Sequence, residues 1–424
     1  MGSKIKQGVR IVGWGCAPLL LGAATALLFV GGPARADEQM VLVSKIDVGG
    51  IGLGAFDISF VDPKIDLYVL ADRTNASVDL FDASDATFTG RIGGPGVFAG
   101  VVLNADGTPN NNKSGPDGVV IVGHKEIWAG DGDSTLKVID IATGNITDTI
   151  SVIDPTTPSV KLRVDEMAYD STDHILAAAN NANTPPFVTL INTDTHAILG
   201  QLVFDKAHAG VDAQNGIEQP QWSPKTGLFY VSVPQVGPDP AQGGVAVIDP
   251  SSMSVTATYL VRNCSPAGLT IGPRNEAMIG CGGAFGTSPN VVTQSIIMNL
   301  NNGEVLANIT QAGGNDEVWY DAGTHHYYLA ARGTADSSGK VTPILGAVDA
   351  NTFMFDGGVT TSTTAHSVAA DKRSHHVFVP IGFVPKTAAP GTDATNPCPT
   401  NGCIAVYLPS SIDDDDLGTR EAKR

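Results

Sequence analysis

The stretch over residues 56–82, FDISFVDPKIDLYVLADRTNASVDLFD, constrains this chain more than any other feature, because variants of it return down to the C-terminus. It reads as three short strands. Residues 56–61 alternate apolar and polar and meet a turn at Asp62-Pro63. Residues 67–71 end in the polar Asp72-Arg73-Thr74-Asn75, and residues 77–81 stop at Asp82. Period-two alternation between Asp, Pro, Gly and Asn turns is the pattern of short antiparallel strands. Further units start at Pro116, Val164, Glu218, Pro266, Asp316 and His366, which makes seven.

A self-similar period of this size, with about four strands per unit, specifies a β-propeller. The expected fold class is therefore all-β, a seven-bladed β-propeller over residues 37–411. The seventh unit runs out after its third strand near Leu408, while an orphan strand over residues 40–48 precedes the first. The N-terminal strand is expected to complete the last blade and so to remove a pairing edge. Gly and Pro number 49 and 26, which suits a fold that needs several turns per blade.

The cadence of LYVLADRTNASVDLFD, EIWAGDGDSTLKVID and LFYVSVPQ…GGVAVID resembles the YVTN-repeat family of seven-bladed propellers, across nearly all of the chain beyond residue 36. That resemblance implies a lactonase-like hydrolase or a related lyase or isomerase, or else a non-catalytic binding or scaffold propeller of the cell surface or periplasm. The repeat itself consists of strand and turn residues and transfers no catalytic signature.

Residues 1–36 read as a secretory signal. Lys4, Lys6 and Arg10 precede an apolar run over 17–30, and Ala34-Arg35-Ala36 is a small-x-small cleavage site. The alternative is an uncleaved anchor, but the run is shorter than the roughly 20 residues of a spanning helix. Removing four basic residues and no acids takes the formal charge from −18 to −22. Such an acidic balance argues against nucleic acid and anionic membranes as partners. A periplasmic or secreted protein is expected, with a small molecule as ligand and room for a protein partner. Residues 412–424, with four consecutive Asp, read as a disordered acidic tail. Inserts at 94–116 and 385–396 read as surface loops able to cover one mouth of the channel.

The four cysteines beyond the signal fall into local pairs. Cys398 and Cys403 close a small loop in the last unit, and Cys264 and Cys281 bracket the first two strands of the fifth. Even counts in an exported chain point to disulfides. No G-x-S-x-G elbow, H-E-x-x-H, P-loop or C-x-x-C-H occurs.

Chemistry is expected where first strands line the channel. Aligned on their second strands, the units place Asp57, Asp117, Asp165, Gln219, Ala267, Glu317 and Ser367 at the lead-in to the first strand. Beside these stand Glu166, Glu218, Asp316 and His366. Carboxylates crowded about an axis repel one another and raise each other's pKa unless something positive sits among them. Two explanations compete. In one, Glu166, Glu218, Glu317, His366 and Asp57 ligate a divalent cation (Ca²⁺, Mg²⁺ or Mn²⁺, with the histidine admitting Zn²⁺ or Fe²⁺). Catalysis then falls to Glu166, Glu317, His366 and Asp117. In the other, the acids hydrogen-bond backbone amides of the neighbouring blade. Arg73 and Arg332, after second strands, either anchor a substrate carboxylate or pair with nearby Asp. Trp222 and Trp319 either line a pocket or pack. His124, His174, His325-His326 and His375-His376 occupy matching turns and read as repeat-position residues.

Overall fold

The computed structural model describes residues 39–282, 294–335, 341–386, 388 and 393–410. The expected signal over 1–36 and the acidic tail over 412–424 lie outside the described residues. Seven four-stranded antiparallel sheets form a ring, a seven-bladed β-propeller. The inner strands are Ser59–Asp62, Val119–Val122, Met167–Asp170, Pro220–Ser223, Pro266–Ile271, Val318–Asp321 and Ala369–Ala370, for blades one to seven. Each abuts the next, and the seventh abuts the first.

The last blade closes as the strand count requires. Met40–Ile46 pairs antiparallel with Cys403–Pro409, Met40 opposite Pro409 and Ile46 opposite Ile404. The strand is two residues shorter than the sequence suggests, and Asp47 begins the link to blade one. Second and third strands are buried almost throughout, as in Leu67–Asp72, whereas fourth strands such as Thr87–Gly93 are half-exposed. The buried apolar side chains form seven clusters, one at each blade interface. The core is thus a ring of wedges, and no blade buries its faces without both neighbours.

Local chemistry explains why the repeat reads so regularly. Between first and second strands every blade places a residue in the left-handed region, Asp66, His124, His174, Gly227, Asn275, His325 and His375, with φ of 52–70°, and blade two adds Gly123. Gly, Asn, Asp and His tolerate that region best, so four histidines are turn residues. His326, by contrast, starts a second strand and is buried, with Nε2 3.0 Å from Asp356 Oδ2. In blades one to six the acid or amide ending the third strand accepts amides of the following turn. Asp82 binds Ser84 N, Asp140 binds Thr143 N, Asn192 binds Thr195 N and Asp249 binds Ser251 N. Much of the acidic composition is this turn chemistry.

Third and fourth strands shift register once in each blade, as at Leu80/Phe81, Val138/Ile139 and Leu42/Ser44. A bulge there increases twist at the outer edge. Near the axis the strands approach closely. A Cβ on Gly118 would stand 2.1 Å from the carbonyl oxygen of Asp165, and one on Gly268 2.7 Å from that of Asp316. Both glycines follow a lead-in position, where the next blade's chain leaves no room for a side chain.

Two cysteine pairs stand at disulfide distance, Cys264–Cys281 with Cα atoms 4.6 Å apart and Cys398–Cys403 at 5.8 Å. Among the described residues no helix is long and apolar enough to cross a membrane.

Candidate functional site

The lead-in residues and the loops after second strands converge on one end of the ring. They wall a cavity of about 730 Å³ lined by Asp57, Arg73, Arg163, Glu218, Asp316, Arg332 and His366, among others. The insert over 94–116 reaches this face. Its Asn111 lines the cavity, and Asn112 O accepts a bond from Arg163 N at 2.9 Å.

Positive charge does sit among the acids. Arg73 Nη2 bonds both Asp57 Oδ2 and Asp117 Oδ1. Arg163 reaches Asp57 Oδ2 at 3.4 Å and Asp165 Oδ2 at 2.9 Å, and its Nε donates to Asn181 Oδ1 at 3.1 Å. Asn181 Nδ2 in turn donates to Asp165. The result is a chain, Asp117–Arg73–Asp57–Arg163–Asp165, running across blades two, one and three, buried except at Arg163. Burial by itself would raise Asp57, but Arg73, the His366 contact and Arg163 outweigh it and hold the carboxyl far below its usual range. Burial dominates at the two ends. It drives Asp117 well up despite Arg73 and takes Asp165 to about 7 despite Arg163.

His366 is oriented for use. Its Nδ1 lies 2.7 Å from Thr364 O, which can only accept, so Nδ1 donates. The ring stacks on Phe56 at 4.5 Å and 7°. Nε2 is thereby aimed at Asp57 Oδ1, 3.6 Å away. One ligand atom each from Asp57, Asp316 and His366 fall within 4.8 Å of one another, drawn from blades one, six and seven. A second-sphere carbonyl on the far ring nitrogen is the usual arrangement of a metal-ligating histidine. Arg332 Nη2 holds Asp316 Oδ2 at 3.1 Å beside this group.

Asp165, Glu166 and Glu218 form a second such group within the same 4.8 Å limit. Burial, then repulsion from Asp165, pushes both Glu166 and Glu218 well above the ordinary carboxylate range. Glu166 is 2 % exposed, and its Oε2 has no hydrogen-bond partner.

The ligand set read from sequence is therefore divided. Asp57 and His366 stand in one group, Glu166 and Glu218 in another, and Glu317 in neither. Glu317 Oε2 accepts from Ser59 N at 3.3 Å, Ser59 Oγ at 3.4 Å, Val368 N at 3.2 Å and Ser367 Oγ. It ties the inner strand of blade six to those of blades seven and one. Burial still raises it to about 8 against those donors. Gln219 makes the corresponding bond, Oε1 accepting from Leu269 N at 2.6 Å. Neither Trp222 nor Trp319 lines the cavity. Trp222 packs against the interface of blades three and four, and Trp319 stands edge-on to Phe60 at 5.4 Å. Arg73 and Arg332 do line it, each paired with an acid.

Arg163 is the residue that sequence reading passed over. Two places before the lead-in, the seven units carry Ala55, Gly115, Arg163, Ile217, Ser265, Asn315 and Ala365. One cation in that column, beside a ring of acids, was the available signal. In comparison with known proteins, no family model matches the chain and no curated protein matches its sequence.

Proposed function

We propose that the chain is an exported propeller whose funnel binds a small molecule and a divalent cation, and that it hydrolyses a lactone or related ester, as the YVTN-repeat resemblance implies. The observation that carries this reading is the group Asp57–Asp316–His366 at the cavity wall, with its histidine fixed through Nδ1 and its Nε2 facing Asp57. Two carboxylates and an imidazole suit Mn²⁺, Fe²⁺ or Zn²⁺. An ion so bound supplies Lewis acidity toward a carbonyl oxygen or a bound water. Phe56 and Thr364 set the plane of the ring, Arg73 and Arg163 keep Asp57 ionised, and Arg332 orients Asp316 at the rim. The two cysteine pairs at disulfide distance support an oxidising compartment, hence export.

Elemental analysis of the purified protein tests the reading, joined to calorimetric titration of Mn²⁺ and Zn²⁺ into chelator-stripped chain. One Mn²⁺ or Zn²⁺ per chain is expected at the His366 group. His366→Gln should weaken its binding at least tenfold and lower turnover in a panel of lactones and esters about a hundredfold, while the melting temperature stays within about 3 °C. Undiminished metal binding by His366→Gln sinks the assignment. Binding without turnover of any panel member would move the weight to a binding or scaffold propeller.

A further inference from the structure

We infer that the funnel carries a second cation site of different chemistry, an oxygen-only site for Ca²⁺ or Mg²⁺ formed by Asp165, Glu166 and Glu218 where blades three and four meet. This inference does not rest on the site assigned to His366. Three carboxylates whose ligand atoms lie within 4.8 Å of one another would by themselves be an ordinary acidic cluster. What sets this one apart is Glu166, 2 % exposed, with an Oε2 that no donor satisfies. An unpaired buried carboxylate oxygen costs far more than a solvated one. Its acidic neighbours Asp165 and Glu218 add to the cost.

The cation already present does not suffice. Arg163 engages Asp165 Oδ2 at 2.9 Å, but it is shared with Asp57 and with Asn181 and bonds neither glutamate in the ion-pair network. A divalent ion bound here would hold all three carboxylates ionised and balance the negative charge that the shared guanidinium leaves over. With no imidazole or thiolate in the group, the donor set is hard, which selects Ca²⁺ or Mg²⁺ over the softer metals.

An ion also has a way in. Glu218 is only partly buried and lines both the main cavity and a neighbouring one of about 250 Å³. Asn183, whose Oδ1 is likewise without a donor, lines the smaller cavity. Water entering there can complete the coordination that three side chains begin.

The test is calorimetric titration of Ca²⁺, then Mg²⁺, into the EDTA-stripped full chain at pH 7.5, for wild type, Glu166→Gln, Glu218→Gln and His366→Gln. Circular dichroism of each confirms the fold. The expected result is one site per wild-type chain, weakened at least tenfold by either glutamate substitution and unchanged by His366→Gln. Should Glu166→Gln fail to fold, the more exposed Glu218→Gln decides alone. Absence of Ca²⁺ and Mg²⁺ binding, or binding that both glutamine variants retain, overturns the inference. Loss of binding in His366→Gln would also overturn it, by assigning the ion to the other group. Failure here leaves the Mn²⁺ and Zn²⁺ titration of His366→Gln unaffected, so the two proposals fall separately.

Discussion

A carboxylate placed ahead of an inner strand meets one of two environments in this ring, and the difference is a matter of a few ångströms. Glu317 has backbone amides in reach and becomes a fastener between blades. Glu166, at the equivalent end of blade three, finds none for its Oε2. Sequence type does not separate them, since both are glutamates beside another acid. The distinction predicts opposite responses to substitution. Glu317→Gln keeps an acceptor for Ser59 N and Val368 N and should leave stability nearly unchanged. Glu317→Ala strands both amides and should cost about 1–3 kcal/mol in urea unfolding. If Glu317→Ala instead melts like the wild type while losing turnover, the fastener account fails and a catalytic role returns.

At the level of elements, the strand that matters most is the one farthest from its partners in sequence. Met40–Ile46 supplies the outer strand of blade seven and buries Met40 and Ile46 at its two ends. Its removal would expose the edge of Cys403–Pro409, a fully buried strand with seven residues of pairing potential. Burial of two large apolar side chains alone is worth about 3–6 kcal/mol. A chain starting at Asp47 should therefore melt well below one starting at Asp37 and run as aggregates on size exclusion, and a peptide spanning 37–48 should restore a monodisperse peak. Equal melting temperatures for the two chains would show that the ring closes without this strand. Both the strand and its role were legible in sequence, because alternation over residues 40–48 is local and a three-stranded last unit has one vacancy.

For the whole molecule, the buried acids set the pH dependence of stability. Burial, reinforced by Asp72, raises Asp79 to about 8, and burial raises Glu317 to about 8. The native state thus keeps protons between the unfolded value near 4 and about 8 that the unfolded chain has released. More protons bound in the native state means that stability falls as pH rises. The contribution is complete below pH 4 and is lost progressively up to about 8. Asp321, which burial would raise but which His375 and turn amides hold low, acts in the opposite sense and loses its contribution in acid. Melting temperature in EDTA should accordingly decline from pH 6 to pH 9, and Asp79→Asn should flatten that slope. A slope identical to wild type in Asp79→Asn would remove Asp79 from the account. Sequence by itself determined the seven units, their strands, the turn positions and the cysteine pairs, because period-two burial and left-handed turns are enforced within a few residues of chain. Which acids meet was decided only by the closed ring. Arg163 lies 106 residues from Asp57, and Glu317 lies 258 from Ser59, yet each pair is in contact. Repeat spacing sets how many blades surround the axis, but the distance between side chains across it depends on how tightly the wedges pack.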